Sequence, residues 1–120
     1  MPAQSDALSN NLSGASEINI AVTGRKSGRT ISLPIWFVAE GDRVYLLPVQ
    51  GSDTQWYKNI LKNSRMRISV GGAEDEFQPT LITDAPAVSS VVEKFRDKYG
   101  DADVKKYYSK FDVAVRVQMR

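Results

Sequence analysis

A short basic segment carries the clearest chemical potential in this sequence. It follows a strand-like run and reads Thr23-Gly24-Arg25-Lys26-Ser27-Gly28-Arg29. The two glycines let backbone amides converge, and the cations and hydroxyls surround the same small volume. Arg offers a planar fork for oxyanions and Lys a mobile point charge, so the segment suits a phosphate beside a carboxylate. A solvated hairpin tip whose charges serve only solubility explains the same pattern.

A second group of candidates combines a small-residue loop with two aromatic residues. Gly51 and Ser52 come shortly before Trp56 and Tyr57, which lie near the start of a predicted helix. A helix N-terminus offers free amides and a partial positive charge, and the aromatic rings offer apolar faces, so a flat ligand fits there. Core aromatics that seat the helix are the competing interpretation.

Two further aromatic pairs are candidates for a pocket wall. Trp36 and Phe37 follow Pro34 and either wall a pocket or fill the barrel. Tyr107 and Tyr108 follow two lysines. A tyrosine hydroxyl there can donate a hydrogen bond to a substrate carbonyl or nitro group, whereas a solvated charged connector is the alternative.

The absence of histidine and cysteine restricts the chemistry. The chain has 120 residues, no His and no Cys, which excludes thiol nucleophiles, Ser-His-Asp triads and metal sites built on His or Cys. Asp, Glu, Lys, Tyr and Ser chemistry remains, as does chemistry supplied by a cofactor with its own reactive atom. A formal net charge of +2 is too small to indicate nucleic-acid binding, so no nucleic-acid partner is predicted.

Apolar residues that alternate with a period of two predict about six strands. The strands cover residues 17–23, 30–38, 43–47, 65–70, 76–83 and 111–119. Helical spacing predicts one helix to about residue 63, capped by Ser52 or Asp53, a second from the N-cap Asp84 to Gly100, and a short one over 103–109. Because Pro34 cannot donate to a ladder, the second strand is bulged or lies at a sheet edge.

This element order predicts a mainly β fold with peripheral helices, of the α+β class. Strands in hairpin order with helices outside them indicate an antiparallel barrel, closed by the C-terminal strand. Residues 1–16 lack periodicity and are rich in Ser and Asn, which predicts a flexible arm before a single domain over 17–120. No export signal and no membrane-spanning run is visible, so a cytoplasmic location is predicted.

Three parts of the chain together resemble the deazaflavin-dependent nitroreductase family. These are the basic segment, the strand with Pro34 and the run Trp56-Tyr57-Lys58-Asn59-Ile60. That family belongs to the flavin-binding split-barrel group, which includes proteins similar to pyridoxamine-phosphate oxidase. The blocks match in order and spacing over most of the chain. The resemblance implies an antiparallel split β-barrel that pairs as a homodimer.

The resemblance also implies positions for a cofactor, coenzyme F420. The basic turn of the family grips the phosphate and acidic tail, which points to Arg25, Lys26 and Ser27. The residues beside the cofactor ring correspond to Val49, Gln50, Gly51 and Trp56, and Trp36 borders the substrate side. Pro48-Val49 stands where the family has a small polar loop, and Thr54 where it has Pro. FMN therefore remains an alternative cofactor, since one phosphate and one flat ring satisfy the same site.

The function implied is an oxidoreductase that passes a hydride from F420 to an electron-poor acceptor such as a quinone, enone or nitro compound. A deazaflavin transfers hydride through its own ring carbon, so the protein need only position the ring, bind its tail and exclude water. Tyr107 and Tyr108 are candidates for orienting or protonating the acceptor. An FMN-dependent enzyme, a non-catalytic flavin or deazaflavin carrier and a purely structural dimer module are the alternatives.

Overall fold

The computed structural model of the chain describes residues 8, 11–12 and 14–119. Eight strands and three α-helices are described over their whole length. The strands are β1 (Ile18–Thr23), β2 (Thr30–Ile35), β3 (Phe37–Glu40), β4 (Arg43–Leu46), β5 (Met66–Val70), β6 (Ala73–Phe77), β7 (Thr80–Ile82) and β8 (Ala114–Gln118). The helices are α1 (Gln55–Lys62), α2 (Ala85–Tyr99) and α3 (Asp101–Tyr107), and a 3₁₀ turn covers Gly51–Asp53.

The strands form two four-stranded antiparallel sheets. The first has the order β2-β1-β5-β6 and the second the order β3-β4-β8-β7. This arrangement confirms the mainly β, α+β fold class and its antiparallel split-barrel architecture. The expected closure by the C-terminal strand is wrong, because β8 lies inside the second sheet between β4 and β7. Within the described part of the chain the two sheets do not form a closed barrel.

Two hydrophobic cores hold the layers together. The main core takes residues from both sheets, including Ile20 on β1 and Leu46 on β4, which are almost fully buried. The second core joins α2 to the other face of the second sheet and contains Tyr45, Phe95 and Ala114. Successive side chains of a strand point to opposite faces, so β4 is buried on both sides. Ala114 on β8 is likewise buried, in the second core.

The junction between the sheets lies at Trp36. The predicted single strand over residues 30–38 is two strands of different sheets. Ile35 at the end of β2 pairs with Ile18 on β1, whereas Phe37 at the start of β3 pairs with Leu46 on β4. The predicted strand over 76–83 likewise divides into β6 and β7. Pro34 lies on β2, an edge strand of the first sheet, as expected for a residue that cannot donate to a ladder.

Helices are found where the sequence pattern predicts them, but α1 has a different N-cap and α3 both begins and ends two residues earlier than expected. Asp84 caps α2, where its carboxylate accepts a hydrogen bond from the Ala87 N–H at 3.2 Å, and α2 ends at Gly100 with a φ of 94°. Helix α1 has Thr54 as its N-cap, so the expected cap at Ser52 or Asp53 is wrong. Those two residues belong to the preceding 3₁₀ turn. Helix α3 begins two residues earlier than predicted.

The predicted N-terminal arm over residues 1–16 falls largely outside the described residues, as does residue 120 of the predicted domain 17–120. Of the positions that are described, Leu8 and Leu12 lie in the main core. The Asn11 side-chain amide donates to the Val70 carbonyl at 3.0 Å. Among the described residues, no helix combines the length and apolarity that crossing a bilayer requires.

Candidate functional site

An open groove of about 600 Å³ lies where β2, the start of α1 and the end of α3 meet. Its walls are mostly apolar and aromatic, with a few polar groups, which is the usual make-up of a small-molecule site. Six of the residues singled out from the sequence line it, namely Trp36, Val49, Gln50, Trp56, Tyr107 and Tyr108. The remaining lining residues are Glu17, Leu33, Pro34, Ile35, Leu47, Thr54 and Gln55.

Trp36 is the centre of an aromatic cluster at one side of the groove. Its ring stacks on Tyr99, with centroids 4.2 Å apart and planes 8° apart. Tyr107 makes a T-shaped contact with it at 5.5 Å, and Tyr108 is tilted against it at 6.0 Å. Stacked and T-shaped arrangements are the favoured geometries for aromatic pairs. The cluster therefore fixes the end of α3 against the junction between the two sheets.

Tyr99 also holds the backbone next to Trp36. Its hydroxyl accepts from the Phe37 N–H at 3.0 Å and lies 2.7 Å from the Phe37 carbonyl and 2.8 Å from the Ser16 carbonyl. Burial is the main cause that raises the pKa of this hydroxyl. The Lys98 ammonium donates to the same Phe37 carbonyl at 2.8 Å. The end of α2 thus anchors the polypeptide immediately after Trp36.

The two candidate tyrosines of α3 and its C-cap have different surroundings. Tyr107 is 53% exposed, whereas Tyr108 is 5% exposed and packs on Phe95 and Phe111. Burial raises the pKa of the Tyr108 hydroxyl, and the nearby Tyr99 adds to the rise. Because the phenol stays protonated at neutral pH, Tyr108 can act as a hydrogen-bond donor but not as a phenolate base.

A network of hydrogen bonds positions the loop that carries Val49 and Gln50. The Ser109 N–H donates to the Val49 carbonyl at 2.8 Å, and the Gln50 N–H donates to the Thr54 hydroxyl at 2.8 Å. The Asp112 carboxylate accepts from the Ser52 N–H at 2.9 Å and from the Ser52 hydroxyl at 2.5 Å. These bonds join the loop before α1 to the segment after α3. They therefore fix the positions of the two walls of the groove relative to each other.

This junction requires a glycine at position 51, for two reasons: the conformation of its backbone and the closeness of a neighbouring side chain. Its φ is +55°, a conformation that residues with a side chain rarely adopt. A Cβ atom at this position would lie 2.0 Å from Oδ1 of Asp112. Hydrogen bonds from Ser52 are the largest cause that holds the pKa of the Asp112 carboxyl below its usual value, and Lys110 contributes. Gly51 is buried, and its contribution is to allow this close approach.

The basic turn lies against α1. The Arg25 guanidinium donates to the Asn59 side-chain oxygen at 2.8 Å and to the Gln55 side-chain oxygen at 2.8 Å. The Arg25 N–H donates to the same Asn59 oxygen at 3.1 Å, and the Lys62 ammonium donates to the Arg25 carbonyl at 3.1 Å. Gln55 lines the groove, so the turn joins the groove at the first turn of α1.

The turn presents exposed positive charge. Lys26, Ser27 and Arg29 are exposed, and Arg25 is half-buried. The ion pairs among the described residues involve other cations, so no described carboxylate lies within salt-bridge distance of Arg25, Lys26 or Arg29. An anion that approaches the turn therefore does not have to displace a bound carboxylate.

Most of the predicted site residues come together, and the structure adds others. Arg25 touches the groove only through Gln55, while Lys26 and Ser27 do not line it. Trp56 is 5% exposed and belongs to the main core, so it is both a core aromatic and a groove residue. Sequence reasoning missed Glu17, Gln55, Asn59 and Tyr99. Asn59 could have been found from the sequence, because it is a polar residue at a position of the predicted helix that should be buried. No local pattern indicated Glu17, Gln55 or Tyr99.

The two-sheet architecture and the groove at its junction define the chain as a split-barrel protein. The chain belongs to the family described as "Uncharacterized protein conserved in bacteria (DUF2255)", whose model matches residues 9–118. No curated protein matches the chain significantly.

Several solved structures share the fold at low sequence identity. A structure described as an F420 reductase is 18% identical, with a TM-score of 0.65 over 100% of this chain and 96% of its own. An F420-H2 dependent reductase (FDR-A) is 17% identical, with a TM-score of 0.66 over 86% of this chain and 94% of its own. The heme storage protein HutZ from Vibrio cholerae is 12% identical, with a TM-score of 0.70 over 96% and 89%. The fold thus occurs in proteins described as F420 reductases and in a heme protein.

Proposed function

We propose that this protein is an oxidoreductase that binds coenzyme F420 and transfers a hydride to an electron-poor organic acceptor such as a quinone, enone or nitro compound. The observation that carries the proposal is a mostly apolar groove whose residue Gln55 is hydrogen-bonded to Arg25 of the basic turn, whose cations form no ion pair with the described carboxylates. A planar ring with an acidic tail matches that combination, because the ring buries apolar surface and the tail meets the cations.

The residues of the groove fit a planar ring. Its volume of about 600 Å³ lies within the usual range for cofactor sites. Val49, Gln50 and Trp56 line the part nearest to α1, and Trp36 lines the part nearest to the sheet junction. These residues would hold the ring between the loop before α1 and the aromatic cluster, with Gly51 keeping that loop in place. When bound in its reduced form, F420 would supply the hydride through its own ring carbon and be oxidised as the acceptor is reduced.

The basic turn would hold the acidic end. Arg25 is oriented by Asn59 and Gln55, and these neutral partners leave its positive charge available to a phosphate. Lys26 and Ser27 are exposed beside it and can add a mobile charge and a hydroxyl donor. Because these donors are already held in position, they lose little conformational entropy when a ligand binds. This favours the binding of an anion.

The tyrosines would act on the acceptor. Tyr108 stays protonated and buried, so it can donate a hydrogen bond to a carbonyl or nitro oxygen that gains charge during reduction. Tyr107 is exposed and can close over the acceptor from the solvent side. The alternatives are FMN as the cofactor and a carrier that binds without turnover. Because the chain lacks His and Cys, common axial ligands of heme iron, the residues favour a deazaflavin over heme.

Titration of the purified protein with F420 and with FMN tests the proposal. We expect F420 to bind more tightly than FMN, and the reduced form to be oxidised when menadione is added. Lys26→Ala should weaken F420 binding roughly 10-fold, because a charge-assisted contact is lost. Lys94→Ala is the matched control, since Lys94 on α2 pairs with Glu40 on β3 and does not line the groove. Tight FMN binding instead of F420, or equal F420 affinity in both variants, would contradict the proposal, and binding without oxidation would indicate a carrier.

A further inference from the structure

Opposite charges lie at the two ends of β1, with the carboxylate in the groove and the cations beside it. Glu17 immediately precedes β1, and the basic turn immediately follows it. A strand of six residues is roughly 20 Å long, so the carboxylate and the cations are separated by about that distance. Ile18 pairs with Ile35, which brings Glu17 beside the junction at Trp36. Glu17 therefore lies at the Trp36 end of the groove, and the basic turn lies beyond the end at α1.

Glu17 is the one formally charged residue among the described residues that line the groove. It is exposed, and it lies close enough to Tyr99 for its charge to contribute to the raised pKa of that hydroxyl. None of the ion pairs among the described residues includes Glu17. Within the described part of the chain, no cation therefore competes with a ligand for this carboxylate through an ion pair.

The walls near Glu17 are aromatic. Trp36 and Tyr107 line the same part of the groove and contact each other. Aromatic faces attract cations, and a carboxylate beside them adds a direct Coulomb attraction. The same carboxylate repels an anionic ligand and costs little for a neutral one.

We infer that the Trp36 end of the groove selects cationic or neutral electron-poor aromatic acceptors and rejects carboxylates, with Glu17 as the specificity-determining residue. The inference rests on the proposed function, because it assigns the acceptor to the end of the groove that lies away from the basic turn. The basic turn then favours the anionic tail of the cofactor, whereas the Trp36 end favours a cationic or neutral acceptor. Each ligand is thereby directed to its own part of the site.

Intrinsic fluorescence tests this inference without any cofactor. The chain has two tryptophans, and both line the groove. We use three nitroaromatic quenchers of matched shape: 4-nitrobenzyl-trimethylammonium, 4-nitrobenzyl alcohol and 4-nitrobenzoate. We expect the cation to bind roughly 5-fold more tightly than the carboxylate, as for a partly exposed charge pair with an aromatic neighbour. Glu17→Gln should bring the ratio of the two affinities close to one and leave the affinity for the neutral alcohol unchanged.

Glu93→Gln is the matched control, because Glu93 pairs with Arg96 on α2 and does not line the groove. It should keep the wild-type order of the three probes. Equal binding of cation and carboxylate by the wild type, an unchanged ratio in Glu17→Gln, or no quenching by any probe would overturn the inference. A protein that fails to bind F420 but keeps the charge order contradicts the proposed function alone, so the two failures are distinguishable.

Discussion

Asn59 connects the core of the molecule to the basic turn. It is 4% exposed and lies on α1 among the buried residues Trp56, Tyr57 and Ile60. A buried amide is stable only when it is hydrogen-bonded, and here its oxygen accepts from both the backbone and the guanidinium of Arg25. One side chain thus fixes the first residues of the turn and the direction of its principal cation.

Replacing Asn59 with Ala should therefore destabilise the fold and weaken anion binding together. The Arg25 N–H loses its partner, and we expect a loss of about 1–3 kcal/mol in the free energy of unfolding. Urea denaturation followed by circular dichroism measures the loss. Asn63→Ala is the control, because Asn63 is exposed and acts at the end of α1 through its backbone groups. Equal stability of the two variants would show that the Arg25 contacts contribute little.

At the scale of elements, the sequence predicts whatever depends on local periodicity. Helical spacing predicts a buried face of α2, which the structure buries at four positions and half-buries at Tyr99; the five residues are Val88, Val91, Val92, Phe95 and Tyr99. The local sequence over residues 30–38 does not show that this run divides into β2 and β3. The change of sheet at Trp36 is decided by pairing with strands that are distant in sequence. Alternation of apolar and polar residues indicates a strand with one buried face. It therefore cannot show that β4 and β8 pack against a hydrophobic core on both faces.

The same limit explains the candidate site. Trp36, Trp56 and Tyr108 were accessible to sequence reasoning because aromatic residues near turns suggest a pocket. Glu17 and Tyr99 were not, since their place in the site comes from the register of β1 with β2 and from the packing of α2. The basic turn, which the resemblance assigns to the phosphate and acidic tail, reaches the groove only through the contact of Arg25 with Gln55. A groove made by three separate elements leaves no signature in any one of them.

The connection between the loop before α1 and the segment after α3 should depend on pH. Hydrogen bonds from Ser52 lower the pKa of Asp112 relative to its usual value of 3.8, so the folded form binds the proton less readily than the unfolded form. This contribution to stability is present above pH 3.8 and is lost as pH falls through the lower, folded value. Ser52→Ala should shift the pKa of Asp112 upward, as measured by a carboxyl carbon NMR titration. An unchanged Asp112 titration would mean that Ser52 does not hold the carboxylate in solution.

The whole molecule presents an incompletely covered apolar row on β2. Ile31, Leu33 and Ile35 are in register with Val22, Ile20 and Ile18, so they extend the core face of β1 to the edge of the first sheet. Leu33 and Ile35 also line the groove, and Ile31 is 43% exposed. Among the described strands β2 pairs only with β1. The groove and the uncovered row are therefore parts of one surface.

We expect the chain to form a homodimer in which a second copy covers this apolar row. Burying apolar side chains at an edge removes an aggregation hazard and stabilises the pair. Light scattering after size exclusion should give twice the mass of one chain. Ile31→Lys should raise the dimer dissociation constant roughly 10-fold or more, because a charge is buried at the centre of the contact. Leu61→Lys is the control, since Leu61 is 54% exposed on α1 outside the row. A single-chain mass for the wild type, or an equal effect of the two variants, would contradict this assembly.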